Sequence, residues 1–164
     1  MKMQKESLVL LMADDDEDDC LLLGSAFNDA EITGEMLFVG DGRELLEYLQ
    51  HEGEYSGPEK APRPDLILLD LNMPRKDGRE ALKEIKANPQ LKNIPVVILT
   101  TTKEERDIDY CYRTGACAFI TKPVAYEDSI KMLQSIIEKL RTDSLRPTDL
   151  GSFNEAGKYK LLIF

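Results

Sequence analysis

Short runs of consecutive apolar residues alternate along this chain with stretches in which apolar residues recur every three or four positions. The runs are Leu8-Val9-Leu10-Leu11-Met12-Ala13, Met36-Leu37-Phe38-Val39, Leu66-Ile67-Leu68-Leu69, Pro95-Val96-Val97-Ile98-Leu99-Thr100 and Ala118-Phe119-Ile120. They are too short for helices, and most lack the alternation of a strand with one wet face. They predict strands buried on both sides, as in a parallel sheet covered by helices.

The intervening stretches predict five helices. The first carries Leu22, Leu23, Ala26 and Phe27 on one face and stops before Thr33-Gly34, and the second starts at Gly40-Asp41-Gly42 and carries Leu45, Leu46 and Leu49. A third places Ala81, Leu82 and Ile85 inward and ends at Asn88-Pro89. Thr102 and Glu105 have capping-box spacing, which starts a fourth helix there; it runs to about Thr114, with Gly115 as its stop. The last spans about Tyr126 to Arg141, with Ile130, Leu133, Ile136, Ile137 and Leu140 on one stripe. Residues 53 to 64 hold two glycines and three prolines and form a long surface loop.

Strand and helix in regular alternation make an α/β fold, a doubly wound parallel sheet with right-handed crossovers. With 164 residues there is room for one domain, residues 1–141, followed by a tail, 142–164, too short to be an output domain. The tail closes with Lys158-Tyr159-Lys160-Leu161-Leu162-Ile163-Phe164, whose alternate residues suit covering an apolar patch or adding a strand to a sheet edge.

All strands of a parallel sheet end on one edge. Asp14, Asp15, Asp70, Thr100 and Lys122 each stand at or just past the end of an apolar run, so the fold gathers them. Singly, each reads as a cap, a turn or a surface lysine; together on one edge they read as a site. Three carboxylates in close range repel, and a divalent cation relieves the repulsion. Hard oxygen ligands without a usable His or Cys select Mg²⁺. An EF-hand reading of Asp14 to Asp19 fails, because Asp19 stands where glycine is needed and Ser25 where the closing acid is needed. Beside such a metal, Lys122 and the Thr100 hydroxyl complete a seat for a phosphoryl group, and a carboxylate such as Asp70 can accept one as nucleophile.

Charge narrows the partners. The net charge is -10, and nine acids in residues 1 to 31 face only Lys2 and Lys5, which argues against a nucleic-acid partner. Cys20, Cys111 and Cys117 show no metal-ligand spacing with the single His51 and read as reduced thiols. Met1 to Ser7 lacks the apolar core of a signal peptide and no run is long enough for a membrane helix, so a soluble cytoplasmic chain without a membrane partner is expected.

At these residues the chain resembles the response-regulator receiver family of two-component signalling. The matches are Asp14-Asp15 after the first strand, Leu68-Leu69-Asp70-Leu71-Asn72-Met73-Pro74 with Asp77-Gly78, Leu99-Thr100-Thr101, and Phe119 followed by Lys122-Pro123. The resemblance implies a flavodoxin-like (βα)5 sandwich with strand order 2-1-3-4-5. It implies that Asp70 is phosphorylated by a sensor histidine kinase or a small phosphodonor, with Mg²⁺ bound by Asp15, Asp70 and the backbone carbonyl of Asn72, and by Asp14 through water. Lys122 would pair with the phosphoryl group across a cis Lys122-Pro123 peptide. Thr100 would move inward on phosphorylation and let Phe119, where many members have Tyr, rotate from outside to inside, coupling the site to the face of the fourth helix, fifth strand and fifth helix.

Finer features, including Asp16-Glu17-Asp18-Asp19, Phe38-Val39-Gly40-Asp41-Gly42 and Thr100-Thr101-Thr102, look like the single-domain regulators of phytochrome-type kinases. Those often dimerise through the same face, where Ile108, Tyr112 and the apolar tail are candidates and Tyr112 equally fits the core. Such a protein is not an enzyme beyond its own phosphorylation and dephosphorylation. A phosphate sink or phosphorelay shuttle is the alternative reading. A dehalogenase-type phosphatase needs a second Asp where Asn72 stands, and a degenerate receiver would have lost residues that are all present here.

Overall fold

The computed structural model describes residues 7–57 and 59–142. Five strands, β1 (Leu8–Ala13), β2 (Gly34–Val39), β3 (Leu66–Leu69), β4 (Val96–Thr100) and β5 (Ala118–Thr121), form one parallel sheet in the order β2-β1-β3-β4-β5. Between and after them lie α1 (Glu17–Asp29), α2 (Gly42–Gln50), α3 (Gly78–Ala87), α4 (Glu105–Thr114) and α5 (Tyr126–Arg141). The expected doubly wound, flavodoxin-like architecture is therefore present. The tail and its expected contribution to association lie outside the described residues.

Side chains of successive strand residues point to opposite faces, and each face packs its own helices. Leu11, Ala13, Ile67, Leu69, Ile98 and Phe119 join Leu45, Leu82 and Ile108 in one core under α2, α3 and α4. Leu10, Met12, Leu66, Leu68, Val97 and Ile120 join Phe27, Leu133 and Ile136 in the other, under α1 and α5. This two-sided burial is why the central strands show no polar alternation.

Local chemistry sets the helix ends. Asp16, Asp41 and Asp77 cap α1, α2 and α3 by accepting from Asp19 N, Glu44 N and Glu80 N. Gly115 ends α4 in the left-handed region, φ 116, as expected. Two expectations shift. α4 begins at Glu105, without a side-chain cap, because the Thr102 hydroxyl accepts instead from Asn72 Nδ2 at 3.1 Å. Leu22 is 58 % exposed, since the buried stripe of α1 centres on Leu23, Ala26 and Phe27 and leaves Leu22 on its shoulder. The long loop is tied down by Tyr48 Oη donating to Pro62 O at 2.8 Å and by His51 Nε2 meeting Ala61 O at 2.8 Å.

Arg79 at the start of α3 reaches Asp107 in α4 through paired bonds of 2.7 and 2.9 Å. Those bonds hold the Asp107 carboxyl below the ordinary carboxylate range, against the opposing effect of burial. The folded state thus binds this proton less readily than the unfolded chain. Its contribution to stability is present above the ordinary carboxylate pKa and is lost as pH falls through the depressed value. Urea midpoints followed from about pH 5 to about pH 2 are expected to fall further for wild type than for Asp107→Asn. Parallel curves would show that the pair does not stabilise the fold.

Candidate functional site

The sheet ladder continues past the strands and fixes the backbone of the site. Asp14 N donates to Val39 O (3.0 Å), Asp70 N to Ala13 O (3.0 Å) and Lys122 N to Thr100 O (2.8 Å). Ala13 pairs with both Val39 and Leu69, and Thr100 with Thr121, so the residues that follow β1, β3 and β5 emerge on one edge. The five residues expected to form a site are brought together by this register.

Carboxylate oxygens of Asp14, Asp15 and Asp70 lie within 4.8 Å of one another. Asp14 and Asp70 are buried and Asp15 is exposed, so the group is open to solvent on one side. Burial pushes the Asp14 carboxyl above its usual range, with Lys122 and the Asp16 N–H opposing. Lys122 Nζ lies 2.7 Å from Asp14 Oδ2, 2.7 Å from Asp19 Oδ2 and 3.3 Å from Asp70 Oδ2. Burial alone would lower the lysine's pKa, but its bonds to Asp14 and Asp19 and the charge of Asp70 raise it, so the ammonium stays protonated. On the β4 side, Thr100 is fully buried and its Oγ1 has no hydrogen-bond partner among the described residues. A buried hydroxyl without a partner is costly, and a ligand oxygen at the site would satisfy it.

This donor set suits a hard divalent cation: three carboxylates from two adjacent strand ends, with room for water on the exposed side. Cys20, whose Sγ lies 3.7 Å from the Asp14 carbonyl, is a soft donor beside this hard oxygen set, and burial pushes its thiol up to about 11. A cleft of about 580 Å³, bounded by Asp14, Asp15, Phe38, Pro74 and Arg75, gives access to the acids.

Three sequence expectations need correcting. The Lys122–Pro123 peptide is trans, as no described residue has a cis bond; trans is the cheaper X–Pro form, and the long lysine stem reaches the acids from it. Phe119 is not outside but fully buried among the residues of α4. Without a phenolic hydroxyl its ring gives up no hydrogen bond on entering the core. Ile108 and Tyr112 are likewise core residues; Tyr112 Oη accepts from Phe119 N at 3.0 Å, so neither offers a surface for a second copy.

Other contributors were not anticipated. Asp19 contacts Lys122, and the only sequence signal was its place in an acidic run that opens α1. Buried Asp41 accepts from Arg75 Nε at 2.8 Å, and Gly42 N donates to Lys76 O at 2.9 Å, pinning the loop after β3 to the start of α2. Burial pushes the Asp41 carboxyl up, but the Glu44 N–H and Arg75 together hold it below its usual range. Gly78 packs directly on the site backbone, since a Cβ there would lie 2.1 Å from the Asp70 carbonyl oxygen. Gly78→Ala is therefore expected to lower stability by about 1–3 kcal/mol in urea denaturation. An unchanged midpoint would show that the loop yields freely.

Comparison with known proteins places this geometry in context. The family model described as "Response regulator receiver domain" matches residues 10–134. Response regulator Rcp1 of Synechocystis sp. is 44% identical over 128 residues, 78% of this chain and 85% of that protein. The phosphorylated cyanobacterial phytochrome response regulator RcpA superposes with a TM-score of 0.74 at 39% identity, covering 84% of this chain and 96% of the other. The Mn(2+)-bound form of Rcp1 superposes with a TM-score of 0.72 at 42% identity, covering 82% and 94%.

Proposed function

Because the chain belongs to the response-regulator receiver family, we propose that it is a phosphorylation switch in which Asp70 accepts a phosphoryl group from a sensor histidine kinase. The observation that carries this reading is the meeting of Asp14, Asp15 and Asp70 within 4.8 Å, with Lys122 Nζ 3.3 Å from Asp70 and the partnerless Thr100 hydroxyl beside them. An Asp70 carboxylate oxygen is the nucleophile. Lys122 neutralises charge on the transferred group, and Thr100 donates to one of its oxygens.

Asp15, Asp70 and the Asn72 backbone carbonyl would hold Mg²⁺, and Asp14 would act through a water. When bound, the ion supplies neutralisation of the phosphoryl oxygens. The Mn(2+)-bound Rcp1 supports a divalent cation here, and the phosphorylated phytochrome regulator RcpA supports both the chemistry and a phytochrome-type kinase. The protein acts on no substrate beyond its own phosphorylation and dephosphorylation. No described helix is long and apolar enough to cross a membrane, in keeping with work in the cytoplasm.

The signal leaves through the face of α4, β5 and α5, with Thr100 and Phe119 as the link; this face is also where a homodimer would form. Phe119 lies inside in this structure, and the phosphoryl group would favour that position through its contact with Thr100. Incubation with a radiolabelled, autophosphorylated phytochrome-type histidine kinase is expected to move label to wild type and not to Asp70→Asn. Label that stays on the kinase, or transfers equally to both, contradicts the proposal.

A further inference from the structure

We propose that Asp19 is a positioning residue that shares the Lys122 ammonium with Asp14 and Asp70 and competes with the phosphoryl group for it. The inference rests on the phosphoacceptor reading of Asp70. Lys122 is 2.7 Å from both Asp14 and Asp19 and 3.3 Å from Asp70, so Asp19, outside the carboxylate triad, holds the ammonium as closely as the nearest member of the triad does. An ammonium has three protons, and here it faces three carboxylates, those of Asp14, Asp19 and Asp70. A phosphoryl group on Asp70 takes that residue's place as the third partner and carries more charge than the carboxylate it replaces, so it competes with Asp14 and Asp19 for the ammonium.

Burial decides which partner gives way. The Asp14 side chain is 1% exposed and that of Asp19 is 41% exposed. Stripping the ammonium from a buried carboxylate leaves an uncompensated charge in a poor solvent, whereas water readily solvates Asp19 once it is released. Asp19 is thus the partner exchanged for the phosphoryl group. Its backbone cannot follow the lysine, because Asp19 N is held by the cap oxygen of Asp16 at 3.0 Å in the first turn of α1. The contact biases the resting protein against phosphorylation and returns Lys122 after hydrolysis.

The test compares wild type, Asp19→Asn and Asp18→Asn; Asp18 is exposed on the same helical turn, so its variant carries the same change in net charge. With acetyl phosphate and Mg²⁺, an Asp70 oxygen forms the new bond to phosphorus while the phosphorus–oxygen bond to acetate breaks and acetate leaves with the electron pair. Asp19→Asn is expected to raise the ratio of phosphorylated to unphosphorylated protein at steady state about threefold over Asp18→Asn. A second arm needs no phosphoryl group. Released from Asp19, Lys122 settles on Asp14 and Asp70, so Mn²⁺ is expected to bind Asp19→Asn about two- to threefold more weakly than Asp18→Asn. That excess should vanish when Lys122 is already Ala.

Equal ratios for the two variants, in a protein that does form the adduct, would overturn the role of Asp19 alone. Equal Mn²⁺ affinities, or an excess that persists in Lys122→Ala, would overturn it as well. No adduct on wild type would overturn the phosphoacceptor reading and the competition with it, while the Mn²⁺ arm separately decides whether Asp19 holds the lysine.

Discussion

Phe119→Ala is expected to lower the unfolding free energy by about 3–5 kcal/mol, the range for removing a buried aromatic ring. Phe119 has no exposed surface and sits where β5, the outermost strand on its side of the sheet, meets Ile108, Cys111 and Tyr112 of α4. Truncation takes the ring out of the core cluster these residues share and leaves a void between a sheet and a helix. Collapse of that void is resisted by two anchors. The Arg79–Asp107 pair holds α4 to α3, and Tyr112 Oη accepts from Phe119 N, keeping strand and helix at a fixed separation. Urea denaturation monitored by circular dichroism reads the loss. A change below about 1 kcal/mol would mean that the ring is not a core residue in solution and that its outward position is the resting one.

Phe119→Tyr separates packing from polarity. The ring is retained, but a hydroxyl enters a fully buried position, where an unpartnered polar group costs about 1–3 kcal/mol. The tyrosine variant is expected to be less stable than wild type and to turn its ring outward more often. Both effects bear on the proposed link between Thr100 and the α4-β5-α5 face.

Much of this was legible in the sequence because parallel strands buried on both faces must be apolar throughout. Each of the five strands announces itself as an apolar run, and the polar residues at the ends of four of them are the site. The α5 stripe likewise gave its bounds, Tyr126 to Arg141, since a long amphipathic period is self-consistent over many turns. What escaped depends on partners far away along the chain. Thr102 and Glu105 have the spacing of a cap, yet Thr102 bonds to Asn72, thirty positions earlier, and α4 starts later than local reasoning allows. Asp19 looked like one acid among six, and its contact with Lys122 spans 103 positions. Gly78 stood out only as half of the Asp77-Gly78 pair, whereas its lack of a Cβ is what lets α3 pack on the Asp70 carbonyl. The side of the sheet on which a lone aromatic near a strand end settles is set by packing against α4, which periodicity does not carry.

Asp70→Asn is expected to abolish phosphorylation outright. The amide keeps the shape of the side chain, but it is a poor nucleophile, and it removes one of the three charges that gather the cation. Neither Asp14 nor Asp15 substitutes for it. Asp14 Oδ2 is held by Lys122, and its Oδ1 accepts from Asp16 N at 3.0 Å, while Asp15 is exposed and the lysine that would neutralise the product pairs with Asp14, Asp19 and Asp70. The measurement that tests the account most directly is intact mass after incubation with acetyl phosphate, with and without Mg²⁺, for wild type and Asp70→Asn. A single phosphoryl adduct that requires Mg²⁺ and is absent from Asp70→Asn is the predicted result. An adduct that persists in Asp70→Asn, or none on wild type with Mg²⁺ present, would contradict it.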